Sequence, residues 1–328
     1  MGIRDGNTRK LSDRVIIREL KENELGEAEM IVHLAFGTFL HIPDAIQNPA
    51  EKRLLTHRWR RNPEDIIAAE LDGKLVGTNV VTRWGSFAFF GPLTVRPEFW
   101  DSGIASRMME STMGIFEKWG VTHTGLFTFA DSPKHLGLYH KFGYHARFLT
   151  SIMTKEIDRS DRPITNQKFI TFSECGTKGK EKYLEECREL TAGLYPGLDL
   201  SSEISLVDDY KLGDTLMLLE DSKLSSFATC QNGPNTEAGK DKCFVKFGAA
   251  RRDSRSGERF ENLILACQSF SRMRGASSLE AGVNLSHSSA FDLMLKHGFR
   301  TTFLGVAMQK PNAPAFNLEE NYIMDDWR

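Results

Sequence analysis

Hydrophobic and polar positions in the first part of the chain alternate in a way that predicts a helix beside a strand hairpin. A β-branched run at residues 15–19 predicts a short strand, and the apolar spacing of residues 24–39 is typical of a helix. Two apolar runs follow, at residues 66–71 and 75–82, on either side of Asp72-Gly73. Because Asp-Gly between apolar runs favours a tight reversal, these two runs are predicted to form a hairpin.

The pattern then changes to longer alternations of strand and helix. Residues 87–95 predict a strand that Gly91-Pro92 interrupts. The next helix is predicted to end at Gly120, and its apolar positions recur at helical spacing: Ile104, Met108, Thr112, Ile115 and Trp119. The remaining runs predict a strand, a helix and a strand at residues 125–129, 133–142 and 147–153. A meander followed by strand–helix–strand predicts an α/β (mixed α+β) fold, a mixed central sheet flanked by helices.

The second half of the chain repeats the first. When 155 is added to each number, residues 138–155 and 293–310 are identical at 7 of 18 positions. Upstream, residues 70–75 resemble residues 219–224 at an offset of 149, and the polar insertion at residues 231–242 accounts for the six-residue difference. Two copies of one unit are therefore expected.

The boundary between the two copies is expected at the polar stretch of residues 157–165, which contains Pro163. The predicted domains are residues 14–157 and residues 165–312. A chain of 328 residues is long enough for each copy to bury its own core.

Composition excludes several classes of protein. A formal net charge of −2 with 40% hydrophobic residues indicates neither disorder nor a charge-driven nucleic-acid or membrane partner. The first residues carry charges where a signal peptide needs an apolar core, and no apolar run is long enough to span a membrane. The 5 cysteines form no C-x-x-C pair, so free thiols in a cytoplasmic protein are expected.

Residues 95–109 join a strand end to a helix through a turn that contains Gly103. Such a turn aims backbone N–H groups and the positive end of the helix at one point, which suits a phosphate. Gly103 lets the backbone approach an anion closely, and Ala105 keeps the next position small. The same residues are also compatible with an ordinary helix capped by Asp101 or Ser102.

Here the chain resembles the GNAT superfamily of acyl-CoA-dependent N-acyltransferases. The first signature of that family, V-x-P-x-x-[QR]-x-x-G-x-[GA], is matched at Val95, Pro97, Gly103 and Ala105. The second signature, about 35 residues further along, is matched at Leu138, Tyr139, Gly143 and by the aromatic Tyr144. The order of elements agrees over roughly residues 14–157, so the resemblance implies two tandem acyl-CoA N-acyltransferase (GNAT) folds.

Three positions depart from these signatures. Trp100 stands where the family has Gln or Arg, so this side chain offers the phosphates neither a cation nor an amide. Ser132 and His135 replace Asn and Ala of the second signature. These changes leave backbone phosphate binding intact and weaken any role for side chains in holding the cofactor.

The resemblance implies a role for each matching position. Leu93, Thr94 and Val95 would pair with the pantetheine arm, and Ser132 is counted with the cofactor-binding residues. The backbone N–H groups that would hold the pyrophosphate are those of Asp101, Ser102, Gly103, Ile104, Ala105 and Ser106. Tyr139 would protonate the leaving thiolate as general acid. Alternatively, Tyr139 is a half-buried side chain that only fills the gap between helix and sheet.

The implied function is an acyl-CoA-dependent N-acyltransferase, and acetyl-CoA rather than another acyl-CoA is the expected donor, which makes it an N-acetyltransferase. An amine-bearing acceptor of unspecified identity would attack the thioester directly, without a metal. N–H groups near Gly91 could polarise the thioester carbonyl, and the acceptor is expected between residues 35–44 and the second domain. His33, His123 and Asp131 are candidates for the base by position only, and none is assigned.

The second copy is expected to be degenerate as an enzyme. At offset 155, Glu258, Phe260 and Met294 stand in place of Gly103, Ala105 and Tyr139. A carboxylate repels a pyrophosphate and a phenylalanine blocks close backbone approach. Two other functions stay open for the whole chain: a non-catalytic acyl-CoA-binding or regulatory module, and a scaffold for a protein partner. The spacing of His135, His140 and His145 predicts no metal face.

Overall fold

The computed structural model describes residues 11–42, 52–158 and 169–327, and within them the fold is mixed α/β as predicted. The elements, in chain order, are α1 (Leu11–Arg14), β1 (Ile16–Glu19), α2 (Leu25–Phe39), α3 (Thr56–Arg61), β2 (Ile66–Leu71), β3 (Lys74–Trp84), β4 (Phe87–Phe90), β5 (Thr94–Val95), α4 (Ile104–Trp119), β6 (His123–Phe129), α5 (Pro133–Lys141), β7 (His145–Glu156), β8 (Ile170–Thr171), α6 (Thr177–Leu194), α7 (Ser201–Asp209), β9 (Gly213–Glu220), β10 (Lys223–Gly233), β11 (Gly239–Ala250), α8 (Ser256–Met273), β12 (Ser278–Asn284), α9 (Ser288–Lys296), β13 (Arg300–Lys310) and β14 (Ile323–Met324). None of the helices in the described ranges combines the length and the apolar character that a membrane span needs.

The elements predicted from the first half are present. Asp72 and Gly73 both have positive φ, as a tight hairpin turn between β2 and β3 requires. The strand predicted at residues 87–95 is divided at Gly91-Pro92 into β4 and β5. The last predicted strand is longer than expected, because β7 extends from His145 to Glu156.

Helix α3 was not predicted, and its start depends on a distant side chain. The buried carboxylate of Glu29, on α2, accepts hydrogen bonds from the N–H groups of Leu54, Leu55 and Thr56 at 3.1 Å each. Glu29 therefore satisfies N–H groups that the helix leaves without an internal acceptor. A local sequence pattern contains no sign of a cap supplied from 25 residues away.

The chain forms two compact units. Of the described residues, the smaller unit contains residues 11–42, 54–82 and 90–119. Its strands pair in the order β1-β2-β3, and β5 is also paired with β3. Helix α2 packs its buried face, which includes Ile31 and Val32, into a core with Ile66 of β2.

The larger unit comprises residues 52–53, 83–89, 120–158 and 169–327 of the described chain. Its strands follow the order β4-β6-β13-β7-β12-β11-β10-β9-β8, and β14 is paired with β11. Strand β13 therefore lies between β6 and β7, and β7 lies between β13 and β12. The last strand of each copy is thus inserted beside a strand of the other copy.

The repeat detected in the sequence is confirmed element by element. Adding 155 to the residue numbers of β6 and α5 gives the bounds of β12 and α9, and β13 begins 155 residues after β7. Adding 149 to Lys74–Trp84 gives Lys223–Gly233, which is β10. The offset changes within the hairpin of β10 and β11, where the polar insertion was placed.

The strand registers obey the same repeat. Phe129 of the first copy pairs with Gly305 of the second. Their equivalents in the other copy, Asn284 and Thr150, also pair with one another. The pairing of β7 with β13 is symmetric about Thr150 and Gly305, which face each other. These four strands are therefore related by a pseudo-twofold axis.

This exchange of strands makes each copy's sheet depend on the other copy. The compact units consequently do not follow the repeat boundary at residues 157–165, and from residue 159 that predicted joint lies outside the described residues. The division into domains at residues 14–157 and 165–312 stays a prediction.

Candidate functional site

The turn before α4 has the geometry of an anion-binding turn. Asp101 has a φ of 62° and Gly103 a φ of 89°, so the backbone is left-handed at two nearby positions. Such backbone forms a concave turn whose N–H groups face one point. Gly103 is exposed and adopts this conformation without the strain that a side chain would add.

Two side chains hold the turn in this shape. The indole Nε1 of Trp100 donates to the carbonyl oxygen of Val95 at 2.8 Å, which ties the turn to the end of β5. The hydroxyl of Ser102 donates to the carbonyl oxygen of Phe99 at 2.5 Å. Trp100, which departs from the family signature, therefore has a positioning role at this turn.

The first turn of α4 leaves N–H groups that the helix does not use. The N–H groups of Ser106 and Arg107 donate to the carbonyl oxygen of Gly103, at 3.1 and 3.3 Å. Those of Gly103, Ile104 and Ala105 precede the first helical bond and have no acceptor within the helix. Of the six predicted pyrophosphate-binding residues, Ser106 is thus the one whose N–H group donates a hydrogen bond within the first turn of the helix.

Replacing Trp100 with phenylalanine tests this positioning role. The side chain remains aromatic but smaller, and the hydrogen bond to Val95 is lost, which leaves a backbone carbonyl without this donor. We expect a loss of about 1 kcal/mol in the free energy of unfolding, measured by chemical denaturation. An unchanged free energy of unfolding would show that the indole N–H does not support the turn.

The predicted pantetheine-binding residues adjoin this turn along the chain. Thr94 and Val95 form β5, which pairs antiparallel with β3 through Thr78 and Gly77. At the interruption before β5, the N–H of Gly91 donates to the carbonyl oxygen of Val80 at 2.8 Å. The N–H of Gly91, which was a candidate for polarising a thioester carbonyl, is therefore already hydrogen-bonded to the backbone.

Tyr139, in the larger unit, is the buried residue of α5. Its phenol makes a hydrogen bond with the side chain of Thr128, and burial raises the pKa of Tyr139 above its usual value of 10. The phenol therefore stays protonated through neutral pH, as a general acid must. Burial also fits the alternative of a tyrosine that fills the gap between helix and sheet.

The remaining candidates in the larger unit have structural contacts. Ser132 is the N-cap of α5, and its Oγ accepts from the N–H of His135 at 3.4 Å. The ring of His123 is buried, with Nε2 3.1 Å from Gln309 Oε1 and Nδ1 3.4 Å from Tyr195 Oη. Burial lowers the pKa of His123, so this histidine is a core residue rather than an accessible base.

Two other base candidates gain no support from their surroundings. His33 is half-buried on α2, and Asp131 is exposed. In the predicted acceptor region, Phe36 packs on the core of the smaller unit, and residues 43–44 lie outside the described residues. No base is assigned.

One residue near the turn was missed by sequence reasoning. Ser12, on α1, lies against Gly103: a Cβ at Gly103 would be 3.2 Å from the Cβ of Ser12 and 3.6 Å from its Oγ. A hydroxyl at this place can donate to an anion on the turn. No sequence signal indicates it, because Ser12 precedes the turn by some 90 residues.

The corresponding turn of the second copy has become helical. Helix α8 begins at Ser256, so the positions equivalent to Asp101, Ser102 and Gly103 form its first turn. Gly257 has no positive φ, and Phe260, equivalent to Ala105, is fully buried in the core. The backbone conformation that could hold a phosphate is therefore absent from this part of the described chain.

The arginines around α8 are used in ion pairs. Arg259 contacts Glu220 at 2.9 Å and Asp253 at 2.6 Å, and Arg255 contacts Glu258 at 3.1 Å. These carboxylates already neutralise the cations that could have attracted a phosphate. Met294 lies fully buried at the position of Tyr139, so the second copy also lacks the acid.

All five cysteines are free thiols, and four of them are buried. Within the residues that the structure describes, no three or more His, Cys, Asp or Glu side chains form a group that could hold a metal ion.

Comparison with known proteins finds a family similarity within the first copy. Residues 30–144 match the family model described as "Acetyltransferase (GNAT) family". No curated protein matches the chain in sequence.

Solved structures similar to this chain cover nearly all of it. A putative acetyltransferase from Pyrococcus horikoshii has a TM-score of 0.69 at 14% identity, covering 100% of this chain and 99% of that one. A GCN5-related N-acetyltransferase from Sphaerobacter thermophilus has a TM-score of 0.61 at 16% identity, covering 94% and 99%. A tandem GNAT protein from the clavulanic acid biosynthesis pathway has a TM-score of 0.58 at 12% identity, covering 92% and 99%.

Proposed function

We propose that this chain, which has a GNAT-family acetyltransferase domain at residues 30–144 and the tandem GNAT fold, transfers an acyl group from acyl-CoA to an amine. The first copy would bind the donor and perform the reaction. Acetyl-CoA is the donor we expect first, because the family model is that of acetyltransferases.

The observation that carries this proposal is the backbone of the turn at Asp101 and Gly103. Left-handed φ values at both residues, together with the unused N–H groups of Ile104 and Ala105, fit a pyrophosphate held by the backbone. An ordinary capped helix does not need this conformation. The second copy, whose equivalent residues are helical, has lost it.

In the proposed reaction, the nitrogen of a neutral amine attacks the thioester carbonyl and the carbon–sulfur bond breaks. Of the three residues at the strand interruption, Gly91 donates to Val80 and Pro92 has no N–H, which leaves Leu93 as the candidate to polarise the carbonyl oxygen. Tyr139 would donate a proton to the leaving thiolate, the amine would lose its proton to water, and the phenolate of Tyr139 would regain a proton from water.

A second function, acyl-CoA binding without catalysis, is favoured by one observation. His123 is engaged in the core, and no residue is assigned as base. A protein that binds acyl-CoA without turning it over would need the turn and no base at all.

Free-thiol release distinguishes the two functions. The purified full chain is mixed with acetyl-CoA and a panel of small amines, peptides and protein N-termini, while direct binding of acetyl-CoA is measured by calorimetry. We expect binding and amine-dependent release of CoA. Binding without release across the panel would favour the non-catalytic module, and absence of binding would contradict both functions.

A further inference from the structure

A segment of the chain occupies the free edge of β11 in the second copy. Strand β14 pairs antiparallel with β11, Met324 opposite Gly248 and Ile323 opposite Ala249. The pairing continues with a hydrogen bond from the N–H of Ala250 to the carbonyl oxygen of Tyr322, at 3.2 Å. We call residues 321–327 the inserted segment.

This edge is available because β11 and β12 separate. The two strands pair in parallel from Lys242 and Ser278 to Val245 and Ala281, and β11 then continues to Ala250 without β12. In the first copy, β4 and β6 also pair in parallel, with Phe87 opposite His123. The residues 155 positions later, Lys242 and Ser278, are the ones that pair in the second copy. The parallel pairing that precedes the separation is therefore the same in both copies.

The residues that receive the inserted segment are equivalent to those assigned to the cofactor. Subtracting 155 from Gly248, Ala249 and Ala250 gives Leu93, Thr94 and Val95. These are the residues proposed to pair with the pantetheine arm in the first copy, and the equivalence rests on that proposed function. We infer that the inserted segment is an intramolecular substitute for the pantetheine arm, which closes the second copy to acyl-CoA.

The second copy is shaped to receive this segment. A Cβ at Gly282 would overlap the side chain of Asp326, and one at Gly248 would lie 2.9 Å from Met324 Cε. The last residue of the segment instead packs on the first copy, where a Cβ at Gly125 of β6 would lie 2.7 Å from the ring of Trp327. At the position of Gly282 the first copy has Phe127, so the room for the segment exists where the second copy has lost a side chain.

By the 155-residue offset, side chains of the inserted segment lie at both ends of the groove that is equivalent to the proposed cofactor groove. Tyr322 lies at the start of α8, where a Cβ at Gly257 would be 3.1 Å from its Oη. This is the place equivalent to the phosphate-binding turn. At the other end Asp325 is fully buried, and Lys246, which interacts with its carboxyl group, stands at the position of Gly91.

The inference is tested by hydrogen exchange of the full chain with and without saturating CoA. Peptides that cover residues 246–258 should exchange slowly without CoA and should not change when CoA is added. Peptides that cover residues 93–106 should be slowed by CoA, and calorimetry should give one CoA per chain. Slowing of residues 246–258 by CoA, or two CoA per chain, would overturn the inference.

A variant of the groove gives a second, independent readout. Gly282→Phe restores the residue of the first copy and should displace the inserted segment, so that residues 246–250 and 320–327 exchange roughly tenfold faster or more. Gly193→Phe is the matched control, because a Cβ at Gly193 meets nothing within 4 Å. Unchanged exchange in Gly282→Phe would overturn the inference.

The outcomes separate this inference from the proposed function. A chain that binds no CoA in either copy contradicts the proposed function, while slow exchange at residues 246–258 still supports a closed second copy. If Gly282→Phe fails to fold, the CoA stoichiometry and the exchange of the native chain decide alone.

Discussion

Replacing Gly103 with glutamate is expected to abolish most acyl-CoA binding. The carboxylate would stand beside the pyrophosphate, and repulsion between such groups costs from about 1 kcal/mol in water to about 4 kcal/mol near a protein surface. Affinity should therefore fall on the order of 100-fold, measured by calorimetry with CoA. The substitution gives the first copy the residue that the second copy has at Glu258.

Two further variants separate charge from backbone strain. Gly103→Ala keeps the site neutral but places a Cβ at a φ of 89°, which costs about 1 kcal/mol or more of folding stability. Gly114→Glu adds the same charge further along α4, where a Cβ meets nothing within 4 Å. We expect an intermediate loss of affinity for the alanine variant and none for Gly114→Glu. Equal affinity in Gly103→Glu and the native chain would remove this turn from the cofactor site.

The repeat was visible in the sequence because packing requires the same residue types in both copies. Phe142-Gly143 and His297-Gly298 end equivalent helices, and both glycines have positive φ, a conformation that favours glycine. The predicted difference in chemistry rests on the opposite observation, which stays a prediction. At the positions of Gly103, Ala105 and Tyr139, the second copy has residues that cannot serve a phosphate or a thiolate.

Other features could not be predicted because they depend on pairing between distant segments. The apolar alternation of β7 and β13 predicts strands and gives no information about which strand lies beside them. The same limit applies to β14, whose two residues become a strand only on the edge of β11. The cap that Glu29 supplies to α3 is a long-range contact of the same kind.

Replacing Tyr139 with phenylalanine is expected to lower turnover about 100-fold or more, the usual contribution of a general acid, with little change in acyl-CoA affinity. Burial raises the pKa of Tyr139, so its phenol remains neutral up to pH values above its ordinary value of 10. Ionisation of Tyr139 should consequently cause no alkaline decline of kcat below about pH 10. A phenol with its ordinary pKa of about 10 is already a weaker acid than a thiol, whose ordinary pKa is about 8.5, and the burial of Tyr139 widens this difference. Proton transfer to sulfur is therefore favourable only if the departing thiolate is equally shielded from water.

Tyr144 provides the matched control for this variant. It is also buried, its Oη lies 3.0 Å from Thr124 Oγ1, and burial raises its pKa as well. Since each substitution removes one buried hydroxyl bonded to a threonine of β6, Tyr139→Phe and Tyr144→Phe should lose similar stability, about 1 kcal/mol each. Only Tyr139→Phe should lose turnover, measured as amine-dependent CoA release. Equal turnover in the two variants would mean that Tyr139 fills space between helix and sheet, and that the leaving thiolate takes its proton from elsewhere.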